Sequence, residues 1–226
     1  METLSEKSLY PIVEKWMKKH FLCFKTAINT GLKYSRVDVL GIRDIGGDLS
    51  GEVETIVIEV KRGTQPFATA SGQAVGYKVY GNRVYLADYR SKPFTQDEIS
   101  IASHLGIGLI KIWGKNCTEV LSSPFYKPIA KLNLALLEKM SLGLCQLCNN
   151  VFEIGSKDSF YSKVTRENLV SSLKNDKGLM FWNREVGARK KKLGIRVSSK
   201  FDTFERRFIC PNCVTSLLSQ FKDVGN

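Results

Sequence analysis

Residues 55–61, Thr-Ile-Val-Ile-Glu-Val-Lys, leave this chain few choices. Five of the seven side chains are β-branched, so the segment is expected to be a strand. Period two places Ile56, Ile58 and Val60 on one face and Glu59 and Lys61 together on the other. The run otherwise reads as buried, and buried charges need partners. A carboxylate and an amine two residues apart on such a strand read as a site. An exposed strand face with alternating charges is the plainer alternative.

The flanking sequence places that strand in an α/β domain. Residues 5–22 carry Leu9, Ile12, Val13, Trp16, Met17 and Phe21 on one helical arc, with Lys15, Lys18 and Lys19 opposite. Strands are expected over 24–29, before a turn at Thr30-Gly31, and over 35–42. Residues 43–51, rich in glycine and aspartate, form a turn before the strand at 52–61. A helix over 67–79, a strand over 84–87 and a helix capped by Thr95 and Glu98 follow. A strand over 107–113 and an amphipathic helix over 127–141 complete the domain. The expected fold is α/β, a mixed sheet flanked by helices, over residues 1–140. Residues 141–226 are expected to form a small zinc-binding α+β domain with a helix near 165–174.

A hairpin centred near residues 47–48 sets Asp38 opposite residues 57–59, beside Glu59. Two adjacent carboxylates repel when both are ionised. A hard divalent cation, Mg2+ or Mn2+, relieves that and makes bound water more acidic. Lys61 on the same face can stabilise charge on a phosphate. Asp44 and Asp48 are alternatives to Asp38 if the register differs; with Glu52 and Glu54 they are expected to be solvated.

Asp38, then twenty intervening residues, then Glu59-Val60-Lys61, within this element order, resembles the PD-(D/E)xK nuclease superfamily, over roughly residues 5–113. Val37 stands where that family's name has proline. The resemblance implies a restriction-endonuclease-like core and metal-dependent phosphodiester hydrolysis. It implies catalytic roles for Asp38, Glu59 and Lys61, and a metal-site glutamate at Glu14, as in Holliday junction resolvases. Glu14 could instead pair with Lys18 one turn on. Gln73-Ala74-Val75-Gly76-Tyr77 resembles the Gln-x-x-x-Tyr element of the RecB-like branch. That implies support of the site by Gln73 and nucleic-acid contact by Tyr77, on one helical face. Many relatives act as dimers, so a homodimer is compatible with the resemblance.

Cys145-Gln146-Leu147-Cys148 and Cys210-Pro211-Asn212-Cys213 are two knuckles of the type that grips zinc as four thiolates. A redox couple or unmetallated thiols are the other readings; the redox one lacks its βαβ setting. Cys23 and Cys117 read as small buried hydrophobes.

The formal net charge of +12 points to a polyanionic partner; with the resemblance, nucleic acid is expected, and DNA ahead of RNA, between which the charge does not choose. The segment after residue 140 is the more basic, and Arg189, Lys190, Lys191 and Lys192 are its densest phosphate-binding run. Tyr161, Phe181 and Trp182 could stack on bases or belong to a core. No apolar run approaches the ~20 residues of a membrane span, and residues 1–7 lack a signal-peptide form. A cytoplasmic, membrane-free protein is expected. The functional expectation is a metal-dependent DNA endonuclease or exonuclease whose zinc domain aids binding. The alternative is a non-catalytic zinc-containing nucleic-acid-binding protein with a degenerate nuclease core.

Overall fold

Helix α1, Glu6–His20, begins where the Ser5 hydroxyl accepts the Ser8 N–H at 3.3 Å, an N-cap. Its apolar arc is the one its spacing dictates. Leu9, Val13 and Met17 are fully buried, and Ile12 and Trp16 pack at the margin. The computed structural model describes residues 5–32, 35–46, 52–154, 160–161, 166–174, 179–182 and 206–223. They fall into two compact units that part between Leu136 and Leu137.

The first unit is built on a six-stranded sheet in the order β1-β2-β3-β4-β5-β6. Strands β1, Lys25–Leu32, β2, Ser35–Asp44, and β3, Val53–Lys61, are antiparallel. Strands β4, Arg83–Tyr89, and β5, Gly108–Trp113, run parallel to β3. Strand β6, Asn116–Leu121, turns back against β5. The crossovers are α2, Phe67–Gly76, and α3, Gln96–Leu105, which contact each other. The predicted Thr95–Glu98 capping box is present, and Gly106 closes α3 in the left-handed region at φ 63°.

Helix α1 lies on the sheet, where Ile56, Ile58 and Val60 join its arc with Val39, Tyr85, Ala87, Ile110 and Ile112. Gly41 on β2 makes that approach possible. A Cβ there would stand 2.2 Å from Met17 Sδ, well inside van der Waals contact. Strand β3 is buried almost throughout, as its β-branched run requires.

Three expectations are corrected. The turn expected at Thr30-Gly31 is strand: Thr30 pairs with Val37 and Gly31 with Arg36. Continued pairing with β2 outweighs the local glycine signal. Helix α2 stops at Gly76 and tightens into a 3-10 turn over Tyr77–Val79, instead of running on to Val79. Strand β6 was not expected; its alternation of exposed and half-buried residues is too weak in hydrophobicity to stand out.

In the second unit, β7, Leu142–Leu144, pairs with β8, Val151–Glu153. Strand β10, Leu179–Trp182, lies between β9, Phe160–Tyr161, and β11, Arg206–Ile209. Helix α4, Ala130–Lys139, has its first seven residues in the first unit and its last three in the second; α5, Arg166–Lys174, and α6, Pro211–Asp223, complete the second unit. Its core is Cys145, Leu169, Ile209, Cys210 and Val214. Among the described residues no helix is long and apolar enough to cross a membrane.

Candidate active site and metal centre

Strand register brings the carboxylates together. Val39 pairs with Ile58, and one further step along the same ladder sets Asp38 beside Glu59. On the neighbouring strand, Asn29 takes a left-handed φ of 48° next to Asp38's position. Asp38 is held at both oxygens: Oδ1 accepts the Tyr10 hydroxyl at 2.8 Å, and Oδ2 the Val60 N–H at 2.9 Å. Glu59 Oε1 lies 2.5 Å from Lys61 Nζ, and both residues are about 95% buried. The Glu6 carboxylate stands 3.6 Å from the same amine, and accepts from Tyr10 at 3.4 Å.

The electrostatics follow from that burial. Burial pushes the Asp38 carboxyl up to about 6, helped by the Glu59 charge and opposed by the Val60 N–H and the Tyr10 hydroxyl. Burial would lower the Lys61 amine, but Glu59, then Glu6 and Asp38, more than offset it and hold it above the ordinary lysine value. Tyr77 is raised by burial and by the facing Glu59 carboxylate; its hydroxyl donates to the Arg36 carbonyl at 2.7 Å. Tyr10 is raised likewise, by burial and by Asp38. Among the described residues, Glu59 Oε2 is buried without a hydrogen-bond partner. An orphaned carboxylate oxygen beside a second carboxylate is the hard donor set a divalent cation takes.

Asp38, Glu59 and Lys61 therefore converge. Glu14 does not join them: it accepts from Thr26 Oγ1 at 2.5 Å and pairs with Lys18 at 3.2 Å. Tyr10 and Glu6, one and two turns earlier on α1, reach the cluster instead. The signal for them was a tyrosine inside an apolar arc, whose hydroxyl had to find a buried partner. Gln73 is exposed and makes no hydrogen bond to the cluster among the described residues, whereas Tyr77 is buried. The α-helix ends at Gly76 and Tyr77 opens the 3-10 turn, so the four-residue spacing does not carry Gln73 into the buried side with Tyr77.

Glu54, expected to be solvated, is 1% exposed and lies between Arg43 at 2.5 Å and Arg83 at 2.7 Å. Asp44 and Glu52 are exposed as expected. Asp48 and the run Arg189, Lys190, Lys191 and Lys192 lie outside the described residues.

In the second unit the four cysteines gather. The Sγ atoms of Cys145, Cys148, Cys210 and Cys213 all lie within 4.8 Å of one another, and none is in a disulfide. Cys145 and Cys148 follow β7, with Asn149 at φ 62° completing the knuckle; Cys210 and Cys213 bracket the start of α6. Cys148 Sγ is 3.7 Å from Cys210 Sγ. Thiolates around zinc at about 2.3 Å form a tetrahedron with edges of about 3.8 Å. Burial raises the Cys145 thiol, but the backbone N–H groups of Cys210, Cys148 and Leu147 overcome it and bring it down to about 7. Such N–H donors favour thiolate, the metal-binding form. Cys23 is buried and pushed up to about 12 by that burial; Cys117 is half-buried and pushed up to about 11.

No family model matches the sequence, and no curated protein does. A solved structure of a protein of unknown function from Silicibacter pomeroyi is similar at 19% identity, with a TM-score of 0.45. The similarity covers 62% of this chain and 86% of that one.

Proposed function

We propose that this protein is a metal-dependent nuclease that hydrolyses DNA phosphodiester bonds. The observation that carries the reading is the buried convergence of Asp38, Glu59 and Lys61 on adjacent strands. Asp38 and Glu59 would hold a magnesium ion, which when bound supplies a more acidic water and positive charge beside the scissile phosphate. Lys61 carries its proton at neutral pH and offers Nζ–H to a phosphate oxygen as negative charge develops there. Glu6 and Glu59 orient that amine. Tyr10 fixes the Asp38 rotamer from α1. Tyr77, buried and facing Glu59, packs against the cluster and is held there by its bond to the Arg36 carbonyl. The cysteine cluster is read as structural zinc that organises the second unit, and that basic segment as the source of much of the phosphate affinity.

The non-catalytic reading has one observation in its favour. Lys61 is already paired to Glu59 and Glu6, and both Asp38 oxygens are occupied, so the cluster is nearly satisfied by the chain itself.

One experiment separates the readings. The purified chain is incubated with single-stranded, duplex, flapped and four-way DNA in magnesium or manganese. Cleavage that is lost in Glu59→Gln and in Lys61→Met, with both variants folded by circular dichroism, is the expected result. Binding without cleavage on every substrate overturns the nuclease reading.

A further inference from the structure

The carboxyl ends of the three parallel strands β3, β4 and β5 border a cleft of about 440 Å³. Lys61 lines it at one side and is the residue it shares with the carboxylate cluster. Ligands of open α/β sheets bind at this end of the strands. The volume lies within the range of small-molecule sites, suits one nucleotide unit, and is far too small for a duplex.

The lining is sorted by charge. Arg90, Asp88 and Glu98 are engaged with one another: Arg90 lies 3.1 Å from Glu98 and 3.9 Å from Asp88. Glu98 is held further by the Thr95 N–H at 2.7 Å. One cation, Arg90, faces both carboxylates of the cleft, and among the described residues Asp88 Oδ1 is buried without a hydrogen-bond partner. Arg62 and Lys92 are exposed in the lining, and together with Lys61 and Arg90 they outweigh Asp88 and Glu98, giving the cleft a positive balance. Trp113, at the end of β5, is 56% exposed in the same lining. An indole lining a cleft offers a flat apolar face with a polar N–H edge. Lys111, whose amine donates to the Ser91 carbonyl at 2.9 Å, lies 5.9 Å from the ring centroid and braces it.

We infer that this cleft receives an unpaired nucleotide of a nucleic-acid strand, its base stacked on Trp113 and its phosphates met by Arg62 and Lys92. The inference rests on the nuclease reading for its biological setting, and it deepens that reading to substrates with a free or splayed strand. An aromatic platform beside cations on one track binds a single strand without regard to sequence.

The test measures binding rather than cleavage, on the full chain carrying Glu59→Gln and without divalent metal. A twelve-nucleotide oligothymidylate and a duplex of the same length are titrated by anisotropy and by tryptophan fluorescence. Trp113→Ala should weaken the single strand about 5- to 100-fold and leave duplex binding nearly unchanged. Trp113→Phe, which keeps a stacking face, should recover most of the loss. Arg62→Ala and Lys92→Ala should each lower the salt slope by about 0.7. Equal single-strand affinity in Trp113→Ala and its parent overturns the inference, as does an equal loss for duplex. The two readings fail separately. Cleavage that requires Glu59 but single-strand binding indifferent to Trp113 removes only the cleft. Trp113-dependent binding by a chain that cleaves nothing removes only the nuclease.

Discussion

The Tyr10 hydroxyl donates to Asp38 Oδ1 at 2.8 Å, so the second turn of α1 is tied to the strand that carries the first carboxylate of the cluster. This contact spans 28 residues of chain and joins a helix to the sheet it covers. Tyr10→Phe removes the donor and leaves Asp38 Oδ1 short of a partner in a buried setting. The variant should lose about 1–3 kcal/mol at neutral pH, measured by urea denaturation. A midpoint unchanged from the parent would mean that water replaces the hydroxyl without loss.

Asp38 also makes a prediction about acid. Its folded-state value, about 6, lies above the ordinary 3.8, so the native state holds this proton more tightly than the unfolded chain does. Its contribution to stability is therefore complete below pH of about 3.8 and is lost as pH rises through about 6. Asp38→Asn stays neutral, so it should gain on the parent across that window, by on the order of 2 kcal/mol. Denaturation midpoints of both chains at several pH values check this. A difference that does not vary with pH refutes it.

Glu59 and Lys61 form a pair 2.5 Å apart and almost wholly buried, so each alone is a liability. Lys61→Met should destabilise by about 3–5 kcal/mol, because it strands a buried carboxylate. Adding Glu59→Gln to that variant should return much of the loss. The double-mutant cycle reads the coupling directly, and additive losses would show that the two side chains are independently solvated.

The cysteine cluster predicts bound metal. Elemental analysis of the full chain purified without chelator should find zinc near one equivalent, and Cys148→Ser should reduce it to near zero. In calorimetry, chelator should lower the melting of the second unit and leave that of the sheet unit in place. Four thiols freely titratable in the untreated protein, with no zinc present, would contradict this.

How much of this was legible in the chain depends on the range of the interaction responsible. The α1 arc, the Thr95–Glu98 capping box and the buried β3 run are local patterns, and they stand where their spacing placed them. The β2–β3 register was legible too, because a hairpin is short and its turn glycines mark its centre. Glu14 and Glu6 show where this stops. Both lie near the edge of the same helical arc, and only the height at which α1 crosses the sheet decides which one reaches Lys61. Gly41, by admitting Met17, is part of what sets that height. Glu54 illustrates the same limit, since Arg83 comes to it from a strand that the sequence does not place beside it in any local way.

The sequence by itself determined most elements of the sheet unit, the mixed α/β class, the carboxylate–lysine pair and the two cysteine knuckles, because periodicity, capping and ligand spacing act over a few residues. Only the tertiary structure decided that Tyr10 and Glu6 complete the cluster, that Gln73 faces water, and that Trp113 borders a cleft that Lys61 also lines. Those outcomes depend on where a helix rests on a sheet and on which strand ends come together. Side chains far apart in the chain, packed at near-crystalline density, settle them jointly.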